Sequence, residues 1–482
     1  MSLSSAENAV SPVRSGPAIV HHAPPVLWRA SAYGCAEGAG QGRMTTGAST
    51  TVDPTRFQNL FPGLSQAEAL ATLRKPLEAL EDVSDRYLAA AHLVNFPDER
   101  TIAALMTCAA DDHPAQAQRI ARRKAVESLA RLGASQALPV IQACLNSEDV
   151  YLVENAVWAL AELQAQPEAV TDTLLQLLKD GRQNRRVVAQ TAARLGIQEA
   201  IAPLEALRQE EDPLLATAAT AALARLTGNK DGLAALEDHL LHPDVTVRRA
   251  VIQDLMDAQA FDGLAAIAAA PVSPVFRLRG VRHLADQQHR QGDAQAGVLL
   301  PLVDRILLDD PAAITLVHRY DAPPSLDFLV QELYGTDFGR VYLAVATLMA
   351  AANADTLAAL TRSFADRGWN DYGAHYHMIK LFGWLGNPQA LPLVREALAN
   401  RRPQFQKSRP AAALTLARLD PQHAETALQD AACEGSFWEL RYAALMGLEQ
   451  LQLPAPSATF ADSDWLVALR AEAMASNGPA HG

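Results

Sequence analysis

Four polar or ionisable side chains in a row, His318-Arg319-Tyr320-Asp321, stand directly before Ala322-Pro323-Pro324. A carboxylate beside a phenol is a pair that holds or moves a proton, and the two prolines stiffen the backbone that follows. A second group, Tyr151-Leu152-Val153-Glu154-Asn155-Ala156-Val157-Trp158, places Glu154 and Trp158 four residues apart. On a helix those two share a face, with Asn155 within about one turn. They fit either a ligand contact or a buried indole with a polar pair beside it. The third group runs from Trp369-Asn370-Asp371-Tyr372-Gly373-Ala374-His375-Tyr376-His377 to Phe382 and Trp384, in a chain with only 6% aromatics. His375 and His377 are too close in sequence to share a helical face, which disfavours a metal site. Stacking of Trp369 and His375 on a flat, conjugated ligand suits this composition better. The motifs of P-loops, nucleophile elbows and HExxH helices do not occur.

Such groups need a scaffold, and this one repeats. Val247-Arg248-Arg249-Ala250-Val251, framed by His242-Pro243-Asp244 and Leu255, has earlier copies closing on Leu132-Gly133 and Leu195-Gly196. With Arg123, Glu154, Arg186, Thr217 and Arg248 as equivalent positions, the intervals are 31, 32, 31 and 31 residues. A fixed period of that size marks stacked helical hairpins. The expected fold is all-α, a HEAT-like α-solenoid forming a right-handed superhelix, with the second helix of each repeat lining the concave wall. Most of the repeated arginines then serve structure, with Asp244 and Arg248 fitting the internal Asp–Arg ladder of such repeats. Residues 1–50 read as a disordered extension with Met44 as the start, 51–286 as the N-terminal repeats and 287–338 as an irregular break. The C-terminal repeats and cap occupy 339–475, before a tail at 476–482. The break holds the His318–Asp321 group, and loops on a rigid scaffold often carry function. A helix end in a solvated loop is the alternative.

Composition narrows the classes. At 482 residues, 49% hydrophobic and 20% charged, the chain buries a large core. Its 41 basic and 54 acidic residues, net charge −13, argue against a duplex nucleic-acid partner. Cys35, Cys108, Cys144 and Cys433 are scattered, without CxxC or histidines at metal spacing. Reduced thiols, no metal and a cytoplasmic location are expected. No apolar run approaches the roughly 18 residues of a membrane span.

Several of these segments resemble a known family. Val83-Ser84-Asp85-Arg86-Tyr87-Leu88-Ala89-Ala90, Arg122 to Gly133, the Val-Glu-Asn-Ala-Val-Trp-Ala core of Tyr151 to Glu162, and Trp438-Glu439-Leu440-Arg441-Tyr442 resemble the E/F-type phycobilin lyases of cyanobacteria. The single long chain is similar to the phycoerythrobilin lyases and lyase-isomerases of marine strains. The resemblance implies addition of a partner's cysteine thiol across the ethylidene bond of a linear tetrapyrrole, with phycoerythrobilin as substrate and no cofactor. The expected acceptor is a phycoerythrin subunit, the α subunit, with attachment coupled to isomerisation to phycourobilin; a plain phycoerythrobilin lyase without isomerisation is the alternative. It further implies that Tyr320 and Asp321 do the acid–base work, with Asp321 facing the pyrrole nitrogens. Glu154, Asn155 and Trp158 would line the pocket, and Arg282, His318 and Arg319 would hold the propionates. A non-catalytic HEAT adaptor or chaperone for phycobiliprotein is the reading from another class.

Overall fold

The computed structural model describes residues 64–477 apart from Ser436. The expected extension over 1–50, the Met44 start and the 478–482 part of the tail lie outside the described residues. Among the described residues every element is an α- or 3-10 helix. Helices pair as α1 (Gln66–Arg74) with α2 (Asp85–His92), α3 (Glu99–Ala110) with α4 (Gln116–Arg131), and α5 (Leu138–Cys144) with α6 (Val150–Glu162). Next come α7 (Thr171–Lys179) with α8 (Arg185–Arg194), α9 (Ile201–Leu207) with α10 (Pro213–Thr227), and α11 (Leu233–Asp238) with α12 (Val245–Asp257). Then α13 (Leu264–Ala269) precedes α14 (Pro274–Gln291) and α15 (Ala296–Leu308). The C-terminal set is α16 (Leu326–Glu332), α17 (Phe338–Ala350), α18 (Ala354–Asp366), α19 (Tyr372–Trp384), α20 (Leu391–Ala399) and α21 (Ser408–Leu419). It closes with α22 (Glu425–Ala432), α23 (Trp438–Gln450) and α24 (Trp465–Asn477).

The sequence sets both ends of these helices. Asp149, Asp212, Asp244, Asp337 and Asp371 are N-caps whose carboxylates accept backbone N–H groups of the following turn. After α4, α8 and α19, Gly133, Gly196 and Gly386 take φ of 64°, 74° and 62°, so the chain reverses where only glycine adopts that backbone freely. The second helices form the inner wall. Arg186 on α8 reaches past a whole repeat to Ala250 O (2.9 Å) and the Asp254 carboxylate (2.5 Å) on α12, a span open only to the inside of a tight curve.

Arg248 corrects the ladder expected from sequence. Asp244 is occupied in capping α12 through Thr246 N at 2.7 Å, and the buried Arg248 guanidinium instead pairs with Asp337, the cap of α17. Arg123 with Asp149 (2.7 Å) and Arg441 with Asp462 (2.7 Å) follow the same rule. Each arginine binds an aspartate at the start of a later repeat.

The buried side chains form two cores, one from Ala69 to Leu223 and the other from Ala221 to Met474. Helix α15 falls inside the stretch expected to be irregular, and the longest chain without helix there is the span 314–325. That helix packs against the C-terminal inner helices. Tyr442 on α23 donates to Asp304 at 2.8 Å, and Lys380 on α19 donates to Leu308 O at the helix end. Asp309, which ends α15 at φ 49°, is buried among Arg277, Tyr342 (2.7 Å), Tyr376 (2.6 Å) and Lys380 (3.9 Å). This charged knot ties α14, α15, α17 and α19 together.

Candidate functional site

The 314–325 span lies against the N-terminal end of α17. His318 Nε2 is 3.1 Å from the carboxylate of Asp337, which also holds Arg248 and accepts from Gly339 N at 2.8 Å. A Cβ on Gly339 would stand 2.9 Å from Arg248 and 3.0 Å from Val317, so glycine is what lets the loop sit this close. Tyr320 packs edge-on against Phe328 at 5.9 Å. Its hydroxyl is shielded from solvent and has no hydrogen-bond partner among the described residues, and burial raises its pKa. Arg319 and Asp321 are exposed. An anchored loop thus offers a phenol and a carboxylate whose capacity the fold leaves unused.

The neighbouring wall of α8, α12 and α14 carries charged groups that sequence patterns did not single out. Asp254 and Asp257 are three residues apart on α12 and so share a face. Asp254 is fully buried and held by Arg186. Asp257 is half-buried and accepts from Gln253 Nε2 at 2.8 Å. Burial pushes its carboxyl up to about 6, against the pull of Arg194 and with the help of Asp254. On α14, burial and the Arg279 guanidinium keep His283 neutral, down at about 4. A carboxyl that titrates near neutrality, set among arginines, has the properties required of a proton donor.

That value predicts a pH effect. The folded pKa of Asp257 exceeds the ordinary carboxylate value of 3.8, so its favourable contribution is complete below that value and disappears as pH rises through about 6. Asp257→Asn should therefore gain about 1–2 kcal/mol on the wild type between about pH 4 and pH 7, after allowance for solvent screening. Thermal unfolding of both proteins at the two pH values checks this; parallel curves would contradict it.

The other residues expected at the site separate into distinct places. Asn155 Nδ2 donates to Arg123 O at 3.1 Å, and Glu154 is half-buried beside it on α6. Trp158 is only 7% exposed and belongs to the N-terminal core. Its indole has no free face for stacking, which corrects the ligand-platform expectation. Trp158→Ala should cost about 3–5 kcal/mol, read from denaturant unfolding. Unchanged stability would put the ring back at the surface.

Arg282, expected to hold a propionate, is already committed. It binds Asp286 at 2.7 Å and Asp464 at 2.9 Å, between the rings of Trp438 (5.1 Å) and Trp465 (5.6 Å). The cause is α24 folding back on α14, which the local sequence around Arg282 gives no sign of. Trp369 and His375 do come together, lining a cavity of about 510 Å³ bounded by α18, α19 and α20. Trp369 is half exposed; His375 is buried, with Nδ1 2.9 Å from Ser408 Oγ and its ring 4.8 Å from Phe405. His377 points elsewhere, packing on Phe338 at 4.8 Å.

The stacked hairpins and their inner wall define a HEAT-repeat solenoid, and a family model for HEAT repeats matches residues 115–184 and 171–256. The chain is 40% identical to a Pseudanabaena tenuis protein called "Uncharacterized phycocyanin operon protein Y", over 82% of this chain and 94% of that one. It is 37% identical to the "Bilin biosynthesis protein CpeY" of Synechococcus sp. strain WH8020, over 76% of this chain and 89% of that one. A "Phycocyanobilin lyase subunit alpha" of Synechocystis sp. is 29% identical over 52% of this chain and 96% of its own. The chain belongs to the E/F-type phycobilin lyase family. Among solved structures, the complex of CpcE and CpcF of phycocyanin lyase from Nostoc sp. PCC7120 aligns at TM-score 0.44 and 22% identity, covering 55% of this chain and 98% of that one. Among the described residues no helix is long and apolar enough to cross a membrane.

Proposed function

We propose that this protein is a phycobilin lyase that joins a linear tetrapyrrole to a cysteine of a phycobiliprotein. One observation carries the reading: identity of 37–40% along nearly the full length of relatives named for bilin biosynthesis and the phycocyanin operon. The chemistry is compatible. The thiol S–H adds across the ethylidene bond, sulfur to one carbon and a proton to the other, with no redox partner. The nucleophile is the acceptor's. In this chain Cys108 and Cys144 are buried, and burial pushes both thiols up, Cys108 to about 11, which makes them poor nucleophiles. Tyr320 and Asp321 are the acid–base residues of this reading: Asp321 stabilises the protonated bilin for attachment, Tyr320 relays protons for a double-bond shift, and His318 anchors the loop. Trp369 and His375 serve the bilin as a secondary contact through their cavity.

In its finer form the substrate is phycoerythrobilin, the acceptor is the phycoerythrin α subunit, and attachment is coupled to isomerisation to phycourobilin. Tyr320 supports this finer form, because a double-bond shift requires a proton removed at one carbon and returned at another. Co-production with the bilin and the apo-subunit, followed by absorption spectra of the chromopeptide, separates the possibilities. A phycourobilin spectrum supports the lyase-isomerase, and a phycoerythrobilin spectrum leaves a plain lyase. No adduct would reduce the chain to an adaptor.

A further inference from the structure

Most cations of the inner helices are neutralised within the fold. Arg123, Arg186, Arg248, Arg282 and Arg409 each hold a carboxylate. Arg249 and Lys407 make no ion pair among the described residues. In a chain with 54 acidic and 41 basic side chains, a partner was readily available to both. Arg249, on α12, donates to Thr336 O at 2.6 Å and lies over the Phe276 ring at 5.1 Å, while its Nε is buried without a partner. Lys407, just before α21, sets its ammonium 4.8 Å from the ring centre of Tyr372, 4.9 Å from Phe338 and 5.0 Å from Tyr376.

Both cations are half-buried, and each feels the shortage of counter-charge. Burial lowers Lys407 to about 8 and lowers Arg249 as well, with Arg249 itself among the causes acting on Lys407. The nearby carboxylates are engaged elsewhere. Asp337 holds Arg248 and His318, Asp371 caps α19, and Asp309 is locked in the buried knot. Tyr372, 48% exposed, lies within electrostatic reach of Arg249 and directly beneath Lys407. Two cations around one open aromatic ring form a place prepared for an anion with an adjoining flat surface.

We propose that Arg249 and Lys407, with the Tyr372 ring beside them, form the seat for a carboxylate of the bound ligand. On the bilin reading, on which this rests, that carboxylate is a propionate of the tetrapyrrole. The seat adjoins the Tyr320 loop, because Thr336 and Asp337 connect Arg249 to His318. A bilin held there by one propionate has its conjugated system beside the loop. The seat also takes over the role that Arg282 cannot fill.

The test titrates the full chain with phycoerythrobilin and with its dimethyl ester, which keeps the chromophore and removes both carboxylate charges. Wild type should bind the free acid roughly tenfold or more tightly than the ester. Arg249→Gln and Lys407→Met should each erase most of that preference while leaving ester affinity unchanged, so the ester also reports that the variants are folded. Equal affinity of wild type for both forms, or variants that weaken both forms alike, would overturn the seat and leave the bilin reading standing. Wild type that binds neither form would overturn the bilin reading and the seat with it.

Discussion

Asp309→Ala is expected to destabilise the chain by about 3–5 kcal/mol, the scale for breaking a buried ion pair from one side. Asp309 is 1% exposed and is the carboxylate facing two buried cations, Arg277 and Lys380, and two buried phenols, Tyr342 and Tyr376. Burial pushes the Asp309 carboxyl up, but Arg277 and Lys380 outweigh it and hold its pKa below 3.8. Its stabilising contribution is thus present above the ordinary carboxylate pKa and disappears only as pH falls through the lowered folded value. Alanine would strand two positive charges, and it would do so at φ 49°, a backbone that alanine tolerates poorly. Asp309→Asn keeps the backbone preference and some hydrogen bonds while removing the charge, so it should fall between wild type and alanine. Urea unfolding followed by tryptophan fluorescence checks this order, since Trp384, Trp438 and Trp465 all pack against the same core. An alanine variant as stable as wild type would show that the knot contributes nothing net.

The second large effect concerns chemistry rather than stability. Asp321→Asn should lower adduct formation by about 10²–10⁴-fold, the usual worth of a positioned acid–base group. Asp321 is exposed, so the helical signal and melting temperature should be unchanged. Tyr320→Phe removes only the hydroxyl, which has no partner among the described residues. It should leave attachment largely intact and stop the double-bond shift. If both variants give the normal product at the normal rate, the loop is structural and Asp257 becomes the leading proton donor.

What the sequence revealed was local or periodic. The 31-residue spacing disclosed the hairpins, and the Arg-Leu-Gly closings marked helix ends. What it concealed depends on curvature. Arg248 meets Asp337 at a separation of 89 residues, Arg277 meets Tyr342 at 65, and Arg282 meets Asp464 at 182. No pattern within one repeat encodes such contacts, because they arise from how many small rotations accumulate along the solenoid. For the same reason no sequence pattern singled out Asp257 or Asp309, whose surroundings are set by distant repeats. His318 and Tyr320 stood out because they interrupt the repeat. Trp158 also stood out by type, yet an indole at that spacing fits the core equally well, and burial decides the matter.

Covalent attachment is the property that separates a lyase from a carrier, so mass spectrometry of the denatured acceptor tests the central claim most directly. A phycoerythrin α subunit produced with phycoerythrobilin and this chain should gain the mass of one bilin at a single cysteine, retained through acid and urea. The same subunit without the chain, or with Asp321→Asn, should remain overwhelmingly unmodified. Equal modification with and without the chain would contradict the assignment of lyase activity.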